Sequence, residues 1–94
     1  MKDFFKEAIK LQERLRQELQ KIKVEGSAGG GMVRIEMDGE QNVLSVKIEP
    51  QLLEERDIAM LEDLIVAAFN DAKNKVQEKA QESLRSITGL PLRF

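Results

Sequence analysis

The sequence predicts an α+β fold: a long N-terminal helix, a small three-stranded antiparallel sheet (a hairpin plus a short edge strand) and a long C-terminal helix, in a single domain over residues 1–94. Near both ends of the chain, apolar residues recur with a period of about 3.6, which is typical of an amphipathic helix. Between these segments, apolar and polar residues alternate in two short runs, as they do in β-strands.

The first helix is predicted over residues 2–23, where most polar positions are Lys, Arg, Glu or Gln, all good helix formers. Its apolar stripe is Phe4, Ala8, Leu11, Leu15, Leu19 and Ile22. Residues 24–31 include four glycines and end the helix. They predict a flexible bend, in which Val24 and Glu25 are available to begin a short edge strand. A phosphate-binding loop is disfavoured, because that motif needs a preceding strand and a Lys-Ser/Thr ending.

The two alternating runs, residues 32–37 and 43–49, predict a β-hairpin with one buried face. Asp38 and Gly39 between them are a strong turn signal, and Pro50 ends the second strand because it cannot donate to the ladder. The residues expected to face inward are Val33, Ile35, Met37, Leu44, Val46 and Ile48. We expect the first half of the C-terminal helix to cover this face.

The C-terminal helix is predicted over residues 57–87, with Asp57 as its N-cap and with Gly89 and Pro91 ending it. Its apolar stripe narrows beyond Ala72, so its second half is predicted to leave the body. In the first half the stripe is widened by a second apolar row, which consists of Met60, Ile65, Val66 and Phe69. This half is therefore predicted to be buried on more than one side.

Both helices are too long for so small a body. A folded chain of this length has a radius of gyration of about 12 Å, whereas a helix of about 31 residues is about 46 Å long. The apolar stripes of both helices extend beyond a three-stranded sheet and need a further surface, which predicts a homodimer. The candidate dimer-interface residues are Leu15, Leu19, Phe69, Ala72, Val76 and Ala80.

The composition argues against catalysis. The chain has no cysteine and no histidine, so it lacks thiolate ligands, the usual general base and the commonest metal ligand. Adjacent carboxylates such as Glu62 and Asp63 diverge by about 100° on a helix. We expect no enzyme activity, no cofactor and no metal. No apolar run reaches the roughly 20 residues that span a bilayer, so no membrane partner is expected, and the expected compartment is the cytoplasm.

Asn70 and Asp71 are unusual in the middle of a helix, because both residue types are poor helix formers. One interpretation is a contact with a second subunit or a ligand. The other is structural: a side chain that forms hydrogen bonds with a nearby loop, either the glycine bend or the hairpin turn. The sequence places no other convergent polar groups there, which favours the structural interpretation.

Charge is distributed unevenly in a chain whose net charge is −2. Residues 1–25 carry seven Lys/Arg against five Asp/Glu, residues 26–71 carry three against ten, and residues 72–94 carry five against two. Basic residues thus gather on the helices predicted to project, where they suit contacts with duplex phosphates. The candidate DNA-binding residues are Lys6, Lys10, Arg14, Lys21, Lys73, Lys75, Lys79 and Arg85.

The chain resembles the YbaB/EbfC family of bacterial nucleoid-associated proteins over residues 10–91. The resemblance rests on four segments in order: GGGMVRIEMDG (29–39), VLSVKIEPQLLEE (43–55), MLEDLIVAAFNDAKNKVQE (60–78) and TGLP (88–91). It implies a tweezer-like homodimer in the nucleoid that binds double-stranded DNA through projecting helices, with little sequence preference, and that organises the nucleoid or regulates genes. It also implies no enzymatic activity and no cofactor. The alternative is a dimeric adaptor that binds a protein partner through its helical arms.

Overall fold

A computed structural model of the protein describes residues 2–88. Along this range the elements are α1 (Lys2–Lys21), β1 (Lys23–Ala28), β2 (Val33–Asp38), β3 (Val43–Ile48), α2 (Pro50–Glu54) and α3 (Ile58–Thr88). The strands form one antiparallel sheet in the order β1-β2-β3. The predicted α+β architecture is therefore confirmed. Gly89 and Pro91, which were predicted to end the second long helix, lie outside the described residues.

The ends of the helices follow local hydrogen bonds. α1 ends at Lys21, two residues earlier than predicted, and the Leu19 carbonyl accepts a bond from the Ile22 N–H at 3.1 Å. Asp57 is the N-cap of α3, as predicted, because its Oδ1 accepts a hydrogen bond from the Met60 N–H at 3.0 Å. These hydrogen bonds thus fix where α1 ends and where α3 begins.

The glycine-rich segment is more ordered than the sequence predicts. β1 runs through Gly26 and is paired with β2 over all six residues, so the prediction of a bend over this part is wrong. Gly26 lies directly under α3, where a Cβ atom would collide with the backbone of Ala68 and Ala72. Glycine is required there because the helix backbone rests on the strand. The bend is confined to residues 29–32, where three glycines have positive φ.

The core lies between α3 and two of the three strands. It is formed by the buried side chains Val24, Val33, Ile35, Met37, Leu52, Ala68, Ala72 and Val76. The expectation that α3 covers the whole hairpin is wrong, because α3 packs on β1 and β2 but scarcely on β3. Leu44 and Val46, which were expected to face inward and be buried, are 45% and 48% exposed. One edge of the apolar sheet face is left uncovered.

α1 and the second half of α3 project from the same end of the sheet. Gly29, at the far end of β1, lies beside Leu64, whereas Glu25, near its start, bonds to Lys75. α3 therefore runs antiparallel to β1 and passes the sheet at the end where α1 enters it. The protein measures 62 × 24 × 17 Å and has a radius of gyration of 17.7 Å, as expected for projecting arms. Within residues 2–88, no helix has the length and apolar character needed to cross a membrane.

Candidate nucleic-acid interface

One row of basic side chains runs along α1. Lys6, Lys10 and Arg14 are four residues apart, so they lie on one side of the helix, spaced by about 6 Å along its axis. All three are exposed, and none has an acidic partner within 4 Å among the described residues. The half-buried Leu15 and Leu19 lie on a different side of α1. These three residues, hereafter the basic row, thus present adjacent, unneutralised charges to solvent.

The basic residues of α3 form no comparable row. Lys73, Lys79 and Arg85 are six residues apart, so successive side chains are rotated by about 240° and point to three different sides of the helix. The Lys79 Nζ also lies 3.9 Å from Glu82 Oε2. Lys73, Lys79 and Arg85 therefore lie on different sides of α3 rather than along one continuous surface.

Two further predicted residues are engaged within the protein. The Lys21 Nζ pairs with Glu18 Oε1 at 3.2 Å on the last turn of α1. The Lys75 Nζ donates to the Glu25 carbonyl at 2.9 Å and lies 3.0 Å from Asp71 Oδ2. Lys75 is therefore directed at the sheet. Of the eight predicted DNA-binding residues, the three of the basic row are the ones that share one side of a helix and have no acidic partner within 4 Å among the described residues.

Asp71 and Lys75 together close the outer edge of β1, and we call this pair the edge lock. Asp71 Oδ2 accepts a hydrogen bond from the Ser27 N–H at 3.0 Å, while Lys75 bonds to the nearby Glu25 carbonyl. These two backbone groups are among those that a fourth strand would use. The structural interpretation of Asp71 is thus confirmed, although Asp71 bonds to the edge of β1 rather than to a loop.

The contacts of the edge lock also change the pKa of Asp71. The hydrogen bond from the Ser27 N–H and the contact with Lys75 lower the pKa of the Asp71 carboxyl, and they outweigh the opposing effect of burial. The charged carboxylate is therefore the form that the folded protein prefers. Its contribution to the free energy of unfolding is fully present above the ordinary aspartate pKa of about 3.9. It is lost as the pH falls through the lower folded value.

We expect Asp71→Ala to lower the free energy of unfolding at pH 7 by about 1 kcal/mol, because a charge-assisted bond at a partly exposed site is lost. Urea unfolding at a series of pH values measures this. The difference from the wild type should shrink as the pH falls well below 4 (about the ordinary aspartate pKa). Asp63→Ala is the matched control, since it removes the same charge from an exposed site on the same helix. An equal loss in both variants would show that the edge lock does not stabilise the fold.

Two candidate dimer-interface residues need correction. Ala72 and Val76 are 0% and 1% exposed because they pack against the sheet of their own chain, so they have no surface left for a second copy. Leu15, Leu19 and Ala80 are half-buried, and Phe69 is 38% exposed. The helical period identified the buried face of α3 correctly, but that face is used within the subunit.

A different apolar surface remains open. On α3, Val66 and Phe69 are 59% and 38% exposed and lie about 170° around the helix from the edge lock. Because the edge lock is at the β1 edge, this side of α3 faces toward β3, although α3 scarcely contacts that strand. There, Val46 pairs opposite Ile35 and Val43 opposite Met37, so both side chains point to the α3 face of the sheet. We call this surface the apolar flank, and its residues are Val43, Val46, Val66 and Phe69.

Two of the four residues of the apolar flank can be recognised in the sequence, because they lie outside the main apolar stripe of α3. Val66 and Phe69 belong to the second apolar row of α3, which indicates burial on more than one side. Val46 and Val43 cannot be assigned in this way, because alternation in a strand does not reveal how far the covering helix reaches. A bulge near Leu44 also shifts the pairing of β3 against β2 between Glu36 and Met37.

Comparisons with known proteins agree with this architecture. The model of the YbaB/EbfC DNA-binding family matches residues 1–90. A Legionella pneumophila (strain Corby) protein named "Nucleoid-associated protein" is 46% identical over 89 residues, which cover 92% of this chain and 79% of the relative. A Dictyoglomus turgidum protein of the same name is 45% identical over 91 residues, covering 93% and 88%. The crystal structure of uncharacterized protein HP0035 from Helicobacter pylori has the same fold, with a TM-score of 0.75, 21% identity and coverage of 90% and 89%.

Proposed function

Because the chain belongs to the YbaB/EbfC DNA-binding family of nucleoid-associated proteins, we propose that it binds double-stranded DNA as a homodimer through the basic helices that project from its sheet. It acts in the nucleoid of a bacterial cytoplasm, where it organises DNA or regulates genes. The observation that carries this proposal is the basic row, whose three exposed side chains lie along one side of a projecting helix.

The basic row suits phosphates rather than bases. Its lysines and arginine are spaced by about one turn along α1, and no Asn or Gln on the same side of the helix lies between them. Contacts of this kind hold a protein on the duplex without reading its sequence. Little sequence preference and a strong dependence on salt are therefore part of the proposal.

The apolar flank supports the homodimer. Its four side chains are 38% to 59% exposed, and they lie beside a core that α3 covers over only two of three strands. A second copy that presents the same flank would complete the cover over β3 and bury both patches together. The edge lock favours this arrangement, since it closes β1 and leaves β3 as the open edge of the sheet.

Dimerisation adds affinity as well as stability. Each subunit carries one basic row, so a dimer has two rows that can contact the same duplex. The second row then binds at a high effective concentration, which raises the overall affinity without any new contact. The acidic body, by contrast, is repelled by DNA and faces away from it.

A salt titration tests the function. Fluorescence anisotropy of a labelled duplex of arbitrary sequence should show binding at low salt, with the logarithm of the association constant falling linearly against the logarithm of the salt concentration. A second, unrelated duplex should give a similar affinity. Absence of binding at low salt would contradict the proposal, and a strong preference for one duplex would contradict the low specificity.

One observation favours the alternative of a dimeric adaptor. Phe4 and Phe5 on α1 are 74% and 70% exposed, and their rings meet edge to face with centroids 6.4 Å apart. Such a pair on a projecting arm suits an apolar protein partner. Binding to that partner would depend little on salt, so the same titration separates the two functions.

A further inference from the structure

The turn between β2 and β3 is held in one conformation by Asp38, and we call residues 38–42 the hairpin loop. Asp38 Oδ1 accepts hydrogen bonds from the Glu40 N–H at 2.9 Å and the Asn42 N–H at 3.0 Å, and Oδ2 accepts one from Asn42 Nδ2 at 3.2 Å. Asp38 is 9% exposed. Burial raises the pKa of its carboxyl, but the bonds from Asn42 and Glu40 outweigh burial and hold the pKa below its ordinary value.

The hairpin loop contacts the last turn of α1 directly. The Gly39 N–H donates to the Leu19 carbonyl at 3.0 Å, a second hydrogen bond to the carbonyl that also accepts from the Ile22 N–H. The Arg16 Nε lies 3.5 Å from Glu40 Oε2 one turn earlier. Gly39 is buried, and a Cβ atom there would collide with the Leu19 backbone rather than with a movable side chain. The loop and the helix therefore meet without room for a larger residue.

Apart from the hairpin loop, α1 contacts only α3 and β2 to any extent among the described residues, and these contacts are few. Every described side chain from Asp3 to Arg14 is exposed, and the half-buried positions Leu15, Glu18 and Leu19 lie in the last two turns. A helix of 20 residues is about 30 Å long. A small change of angle at its base therefore moves the basic row by several ångströms.

We propose that the hairpin loop is the joint that positions α1, with Gly39 as the residue that sets its angle and Asp38 as the residue that keeps the loop rigid. The inference rests on the proposed function, because the joint matters for DNA through the basic row. With the joint closed, the basic rows of a dimer lie at a fixed spacing and contact phosphates together. With the joint displaced, each row contacts DNA independently, and the advantage of two linked rows is lost.

The test compares two glycine substitutions. Gly39→Ala forces α1 away from the loop, whereas Gly30→Ala places its Cβ in open space and strains only a residue of positive φ, +68°. We expect Gly39→Ala to weaken duplex binding at least tenfold and to make the salt slope shallower by about 1 to 3 units. Gly30→Ala should leave both unchanged, although it lowers stability.

A distance measurement between α1 and the sheet tests the role of the joint in the absence of DNA. The chain has no cysteine, so Gln12→Cys on α1 and Lys47→Cys on β3 can carry spin labels. Labelled protein diluted into excess unlabelled protein reports the distance within one subunit. Gly39→Ala should shift or broaden this distance distribution, and Gly30→Ala should not.

Two results would overturn the proposal. One is an unchanged distance in Gly39→Ala, and the other is an equal loss of DNA binding in Gly30→Ala, which would indicate general destabilisation. If Gly39→Ala does not fold, Asn42→Ala loosens the loop by removing the side-chain bond from Nδ2 to Asp38 Oδ2, and it should broaden the distance in the same way; an unchanged distribution overturns the proposal. Failure of the wild type to bind DNA would contradict the proposed function but not the joint.

Discussion

Val46→Glu combined with Phe69→Glu is expected to convert the proposed homodimer into a folded monomer. In the single chain these side chains are 48% and 38% exposed, so a carboxylate at either position remains in contact with water. In a dimer that pairs the apolar flanks, four carboxylates would be buried without partners, and each would cost several kcal/mol. We expect the dissociation constant of the dimer to rise by more than about a hundredfold. Sedimentation equilibrium measures the change, and circular dichroism confirms that the fold is retained.

The matched control introduces two glutamates on α1, outside the proposed interface. Phe5→Glu with Ile9→Glu changes two apolar residues of α1 that are 70% and 56% exposed. This variant should remain a dimer, because the proposed interface lies on the sheet and the first half of α3. Dissociation of the control with an intact dimer in the Val46/Phe69 variant would move the interface to the arms. The monomeric variant should also bind DNA more weakly, since it presents one basic row instead of two.

Most of the fold follows from periodicity in the sequence. The stripe through Ala68, Ala72 and Val76 repeats with the helical period, and all three side chains are buried against the sheet. The alternation of Val33, Ile35 and Met37 identifies β2 because β2 is the central strand, covered on one face over its whole length. Patterns of this kind are reliable where one element covers another fully.

The sequence was less informative where packing depends on how elements are placed side by side. Gly26 looks like part of a flexible bend, because nothing in the local sequence shows that the backbone of α3 rests on it. Val46 looks like a core residue, because strand alternation does not show that the edge lock holds α3 over β1 and away from β3. Both errors arise from the lateral position of a single helix.

The candidate site also has features that the sequence predicts and features that depend on tertiary contacts. The four-residue spacing of Lys6, Lys10 and Arg14 in the sequence already predicts that they share one side of α1. The sequence does not show that Lys75 is turned toward the Glu25 carbonyl, because that contact joins residues 50 positions apart. The role of Gly39 at the base of α1 depends on a contact between residues 20 positions apart and leaves no local pattern beyond a turn signal.

Neutralising the basic row should have the largest effect on DNA binding. In Lys6→Gln, Lys10→Gln, Arg14→Gln, three charges per subunit are lost from exposed positions, so the fold and the dimer should persist. Each lost phosphate contact lowers the salt slope by about 0.9 and weakens binding roughly eightfold at 0.1 M salt. The slope should therefore fall by about 2.7 if one subunit's row contacts the duplex and by about 5.4 if both do. Affinity should fall at least a few hundredfold.

The matched control removes the same number of charges from the body. Arg34→Gln, Lys47→Gln, Arg56→Gln neutralises the three basic residues of the acidic middle region, which lie on β2, on β3 and beside α2. Because these residues are not on an arm, their loss should change affinity only through net charge and should leave the salt slope within about one unit of the wild type. Equal slopes in the two triple variants would show that DNA senses the overall charge of the protein. A lower slope in the α1 variant alone identifies this helix as the surface that contacts the phosphates.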